Sequence, residues 1–238
     1  MRVLVTRPEP DAAETAEKLR ALGHEPVIAP FLRVIFAVPP ADLPDPAAIL
    51  LTSRNGARAL SHWPQAAGWL GRPVLVTGHA TAEAARRIGF KDVRSAGGDA
   101  ADLADLVMSQ IGNDGGPILF PAARDRSEGF LSALRAAGYV ICLVEAYGAE
   151  METAIDPVIE DAIRTGSIDG ILFYSRRTAV AFRTLAEREG FAKDLKGVAF
   201  FALSDRVAAP LRGLSAAIYL AEHPDEGSLL ALLPIPTG

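Results

Sequence analysis

Residues 3–32 read VLVTRPEPDAAETAEKLRALGHEPVIAPFL, and residues 118–147 read ILFPAARDRSEGFLSALRAAGYVICLVEAY, the same length at an offset of 115 with no gap. Each starts with an apolar run, crosses a polar turn into a segment with Ala and Leu at helical spacing, reaches Gly23 or Gly138, and ends in a second apolar run. AILLTSRNGARAL, ending at Leu60, and GILFYSRRTAVAF, ending at Phe182, form a second pair that lays Ser53-Arg54 over Ser175-Arg176. A third pair, PVLVTGHATAEAARRIG and GVAFFALSDRVAAPLRG, ends at Gly89 and Gly213. A chain that contains itself twice implies two homologous halves, with a ligand cleft expected between them.

The runs Val3–Val5, Ile49–Leu51, Val74–Val76, Ile118–Phe120, Ile171–Tyr174 and Val198–Phe201 lack polar alternation, as strands covered on both faces do. Helical patterns such as Asp11–Leu22 and Ser127–Ala137 lie between them and stop at Gly23 and Gly138. Alternation of this kind predicts α/β architecture with parallel sheets wrapped by helices. The Pro-rich VPPADLPDP near Pro40 and the acidic EMETAIDP before Pro157 read as linkers or long crossings.

With 238 residues, 50% hydrophobic and 22% charged, the chain can bury two modest cores. The opening MRVLVTRPEP has too short an apolar run for a secretory signal or a membrane span, so the cytoplasm is the expected compartment. The single cysteine, Cys142, lies in the run VICLV and reads as a packed strand residue. His24, His62, His79 and His223 have no ligand spacing, and no metal is expected. There is no G-x-G-x-x-G, Walker loop, G-x-S-x-G or H-E-x-x-H.

In parallel sheets, ligands bind beyond the carboxyl ends of the strands, where helix N-termini offer unpaired amides. Those positions read Thr6-Arg7, Thr52-Ser53-Arg54, Thr77-Gly78-His79-Ala80-Thr81, Pro121 to Arg126 with Arg124 among them, Ser175-Arg176-Arg177, and Ala202-Leu203-Ser204-Asp205-Arg206. Singly, such Ser and Thr are ordinary N-caps and such Arg ordinary surface residues. Their recurrence in both halves points instead to a small polyanion. The net charge of −5 does not oppose that, since screening over about 8 Å leaves local arginines in control. Nucleic acid is not expected, because no basic stripe carries interleaved aromatics.

The motifs VLVTRP, the run ending in Pro30-Phe31-Leu32, ILLTSRNGA, VLVTGHATA, ILFPAARD, the strand ending in Val144-Glu145-Ala146-Tyr147, and ILFYSRRTA occur in an order that resembles the uroporphyrinogen-III synthase family over essentially the whole chain. The resemblance implies two similar flavodoxin-like parallel-sheet domains joined by a two-stranded linker. Domain 1 would be 1–33 plus 150–238, domain 2 would be 37–146, and 33–38 and 145–150 would bridge them. It also implies cyclisation of hydroxymethylbilane to uroporphyrinogen III with inversion of ring D and loss of water, without metal or cofactor. A two-lobed small-anion binding protein without turnover is the alternative; a flavodoxin-like signalling or nucleotide-binding enzyme is less favoured, lacking a phosphate loop.

By the same resemblance Tyr147 is the candidate acid for the departing hydroxyl, and Thr81, in the turn Gly78-His79-Ala80-Thr81-Ala82, caps a helix and holds a carboxylate or ring nitrogen. Arg7, Ser53, Arg54, Gly78, Arg124, Ser175, Arg176 and Ser204 are the candidate substrate contacts. Where the family often has Gly-Pro-Thr-Thr, this chain reads Ala202-Leu203-Ser204-Asp205, which sets a carboxylate where an acetate would approach; His79 is expected to face solvent. The expected partner is the small-molecule substrate, with a passing contact to the enzyme that supplies it; a monomer with no membrane partner is expected.

Overall fold

The structure, a computed structural model, describes residues 1–126, 129–214 and 217–235. In chain order the strands are β1 (Arg2–Val5), β2 (Glu25–Ile28), β3 (Leu32–Phe36), β4 (Ala48–Leu51), β5 (Val74–Val76), β6 (Val93–Ser95), β7 (Ile118–Ala123), β8 (Ile141–Met151), β9 (Gly170–Phe173), β10 (Ala199–Ala202) and β11 (Ala217–Leu220). The helices are α1 (Asp11–Ala21), α2 (Arg54–Ser61), α3 (His79–Arg87), α4 (Ala100–Gln110), α5 (Gly129–Ala136), α6 (Pro157–Arg164), α7 (Arg176–Arg188), α8 (Asp205–Ala208) and α9 (Glu226–Leu230).

Two compact units result, Met1–Val34 with Ala149–Gly238, and Ile35–Gly148. The first holds a sheet ordered β11-β10-β9-β1-β2, parallel throughout. The second holds a sheet ordered β3-β8-β7-β4-β5-β6, parallel from β8 to β6. The central strands β4 and β9 are buried at every residue, which is why their sequences are continuous apolar runs. Two segments read from sequence as bridges are strand: β3 takes most of 33–38, and the second half of β8 takes 145–150.

Helix α1 stops where Gly23, at φ 81°, takes a left-handed conformation that a side chain would resist. Gly138, at φ 88°, does the same after α5. The expected start of α5 at Ser127 lies outside the described residues.

The first unit packs around a phenylalanine cluster in which Phe182 meets Phe31, Phe173 and Phe200 edge to face at 5.2, 5.2 and 5.7 Å. Such pairs add about 0.5–1.5 kcal/mol each beyond area burial. The second unit packs more aliphatic residues, with Leu50, Leu75, Leu103, Leu131 and Leu134 around Phe120. These cores fix the strand ends, and with them the loops that carry the candidate site.

Candidate functional site

In each sheet one gap separates strands whose connections leave in opposite directions, the place where parallel α/β sheets open a crevice. In the second unit that gap lies between β4 and β7, and in the first between β1 and β9.

Beyond the carboxyl ends of the second unit's strands stands a row of candidate residues. After β4, Ser53 is extended (φ −159°, ψ 151°), and its Oγ accepts the Asn55 amide at 3.0 Å as the N-cap of α2. After β5, Gly78 is the N-cap of α3 and has no side chain to cap it. Its first amides are left for solvent or a ligand, and the positive end of the helix dipole favours an anion there. Thr81 is only 6% exposed. It is the third residue of α3, and its amide donates to the Gly78 carbonyl at 3.1 Å. After β7, the Arg124 amide donates to the Tyr147 carbonyl at 2.8 Å, and its guanidinium pairs with Glu145 at 2.9 Å.

Tyr147, on β8, is 8% exposed. Burial raises its phenol above the usual range, and a hydrogen bond with the Ser53 side chain pulls partly the other way. At neutral pH it therefore carries its proton. Ser53 and Tyr147 are thus brought together, a pairing that sequence reasoning missed because the two lie on separate strands and neither motif signals the other.

The first unit is built differently. Arg7, expected as an open substrate contact, is 14% exposed. Its Nη1 donates to Glu226 Oε1 at 3.1 Å and to Thr15 Oγ1 at 3.2 Å, its Nη2 pairs with Asp11 at 3.1 Å, and its guanidinium lies 4.3 Å from the centre of the Tyr174 ring. The same Glu226 oxygen accepts from Thr15 at 2.6 Å and Tyr174 at 3.0 Å, while Lys18 holds the other. Burial alone would raise the Glu226 carboxyl, yet hydrogen bonds from Lys18, Thr15 and Tyr174 and the Arg7 charge outweigh it and hold it below the usual range. Burial first, and then the Glu226 charge, push the Tyr174 phenol far up. Arg7 is therefore a member of an internal ion cluster, because Glu226, some two hundred residues away in sequence, reaches the same crevice.

The remaining candidates sit at helix starts. Ser175 caps α7 by accepting the Thr178 amide at 3.1 Å, and Arg176 is exposed at the first position of that helix. Ser204 caps α8 by accepting the Val207 amide at 3.4 Å, and the neighbouring Asp205 is paired with Arg212. Arg54 opens α2. His79 is open to solvent, its side chain 83% exposed. Among the described residues no cluster of His, Cys, Asp or Glu could hold a metal ion, and no helix is long and apolar enough to cross a membrane. His24 is buried beside the N-terminal amine at 3.4 Å, and burial followed by that charge lowers its pKa.

Fold and strand-end chemistry together define a double parallel-sheet α/β protein of the kind that takes a ligand beyond its strand ends. The family model described as uroporphyrinogen-III synthase HemD matches residues 13–231, and the chain belongs to that family. The crystal structure of uroporphyrinogen-III synthetase from Helicobacter pylori 26695 is similar to it at a TM-score of 0.64, with 16% identity over 98% of both chains. A mutant uroporphyrinogen III synthase from the extremely thermophilic bacterium Thermus thermophilus is similar at a TM-score of 0.51, with 18% identity, covering 97% of this chain and 96% of that one. At these identities the likeness is one of fold. No curated protein sequence matches the chain.

Proposed function

We propose that the protein converts hydroxymethylbilane to uroporphyrinogen III, inverting ring D and releasing water, which makes it a carbon–oxygen lyase acting on a small tetrapyrrole. The observation that carries the reading is a buried, protonated Tyr147 at the strand-end row of a chain that belongs to this family. Breaking the terminal carbon–oxygen bond sends its electron pair to oxygen. The Tyr147 proton joins it, water leaves, and the azafulvene end is attacked by the substituted carbon of the far ring. The resulting spiro intermediate fragments and recloses with that ring inverted. The proton shed when the macrocycle closes returns to the phenolate, so no net proton is consumed.

The substrate is a polycarboxylate, which suits the uncapped N-terminus of α3, Thr81, Arg54, Arg124 and Arg176. Positioning supplies most of the acceleration in this reading, because the competing closure without inversion needs only that the ends meet. A general acid contributes about 10² to 10⁴. The proposal includes a cytoplasmic monomer and the Ser175 and Ser204 turns as further contacts.

The test is a coupled assay with freshly made hydroxymethylbilane, followed by oxidation and separation of the III and I isomers. A clear excess of III over the enzyme-free control is expected. Binding without any such excess would favour a small-anion binding protein instead.

A further inference from the structure

Tyr147 does not face the side that strand periodicity would give it. On β8, Ile141 and Leu143 pack on the apolar cluster that includes Leu103 of α4 and Leu131 of α5, and Glu145 follows two residues later, exposed. Unbroken alternation would carry Tyr147 to that same side. The register slips just before it: Ala122 stands opposite Glu145, but Ala123 stands opposite Tyr147, so Ala146 is an extra residue with no partner on β7. A bulge of this kind re-aims the side chain that follows. Val144, Ala146 and Tyr147 are accordingly all buried, and the phenol meets Ser53. Ser53 starts α2, whose Gly56 lies against Leu51, on the face opposite that of Leu50 in the α4 and α5 cluster.

We propose that Ser53 is a positioning residue for Tyr147: its hydroxyl donates to the phenol oxygen, leaving the phenol proton turned away from Ser53 and available to the substrate's departing hydroxyl. The inference rests on the role of Tyr147 proposed above. A serine oxygen has one proton to give, and Ser53 already accepts the Asn55 amide at 3.0 Å, which fixes its oxygen at the helix start. Donation toward Tyr147 also stabilises the phenolate left when the proton has gone, in a setting where burial alone works against it. With the bond reversed, the phenol proton would be tied to Ser53 and unavailable. Ser53 therefore acts through Tyr147 rather than on a substrate carboxylate.

The test uses Ser53→Gly, Ser53→Thr, Tyr147→Phe and the Ser53→Gly/Tyr147→Phe double variant in the full chain. Glycine serves a helix N-cap nearly as well as serine, so the fold is kept while the hydroxyl is lost. Two readouts are needed: the carbon resonance of the labelled Tyr147 phenol, assigned by its loss in Tyr147→Phe, and kcat and KM for hydroxymethylbilane. Ser53→Gly should shift the resonance and lower kcat about five- to tenfold, the size of one neutral hydrogen bond, with KM within twofold. Ser53→Thr should restore both, and Ser53→Gly should add nothing to Tyr147→Phe. An unmoved resonance overturns the proposal. So does a loss carried by KM that persists in the Tyr147→Phe background, which would make Ser53 a substrate contact. If the wild-type chain yields no excess of the III isomer, the reaction itself is wrong, and a shifted resonance then still reports the Ser53–Tyr147 pair separately.

Discussion

Arg7 and Glu226 close on each other at 3.1 Å, and the same carboxylate oxygen also takes the hydroxyls of Thr15 and Tyr174. The crevice between β1 and β9 is thus filled by the chain's own carboxylate, whereas at the positions that the sequence repeat lays over Arg7 and Tyr174 the second unit has Ala122, on β7, and Thr52, just after β4. Two halves that repeat in sequence have diverged in what they place at equivalent points.

Arg7→Ala should therefore act on stability before it acts on substrate. It would leave a carboxylate that is 22% exposed with one cation fewer, and a loss of about 1–3 kcal/mol is expected, below the range for a fully buried pair because solvent and Lys18 still reach Glu226. Urea unfolding measures it. A variant as stable as wild type with a raised KM would show that Arg7 binds substrate after all.

The same cluster sets a pH dependence. The Glu226 carboxyl is lowered in the folded state, so its contribution is present above its ordinary value of 4.5 and is lost as pH falls through the folded value. The Tyr174 phenol is raised, so its contribution is present below its ordinary value of 10.0 and is lost above it. The cluster's contribution should be flat through the neutral range and fall at both ends, while His24, whose pKa burial lowers, adds a decline that begins as pH falls below its ordinary value of 6.5. Glu226→Gln should be less stable at neutral pH yet lose less on acidification; an acid limb as steep as that of wild type would rule Glu226 out.

Tyr147→Phe should lower kcat by about a hundredfold or more and leave the far-ultraviolet spectrum unchanged, since only a hydroxyl is removed from a packed ring. A rate within twofold of wild type would exclude the phenol as an essential acid.

Arg176 contrasts with Arg7. It is exposed at the start of α7, and among the described residues it has no ion pair, so Arg176→Ala should leave stability within about 0.5 kcal/mol and raise KM severalfold. Unchanged KM would reduce it to a surface residue.

Gly56→Ala tests the seat of α2. A methyl group there would lie 3.0 Å from Leu51 Cδ2 and 3.2 Å from the Pro121 carbonyl oxygen, and the latter is backbone that yields little. Alanine gains about 1 kcal/mol in helix propensity, against an overpacking cost of about 1–3 kcal/mol. A small net loss of stability is expected, together with a lower kcat as Ser53 is displaced; a variant more stable and equally active would show that the gap closes freely.

Much of the fold was legible from local chemistry. Apolar runs such as Ile49–Leu51 are strands because a strand covered on both faces leaves no position for a polar side chain, and Gly23 and Gly138 stop helices because the left-handed turn excludes a Cβ. The repeat announced two similar units, and Ser53 and Ser175, each just after a buried strand, were readable as helix starts. Tertiary structure alone decided which of these groups meet. No pattern near Arg7 foretells Glu226, because ion pairing depends on distance in space while the sequence records only order along the chain. Nor does two-residue periodicity reveal that Ala146 is skipped in the pairing, since a bulge is a property of two strands in register, and it is that slip which turns Tyr147 toward Ser53.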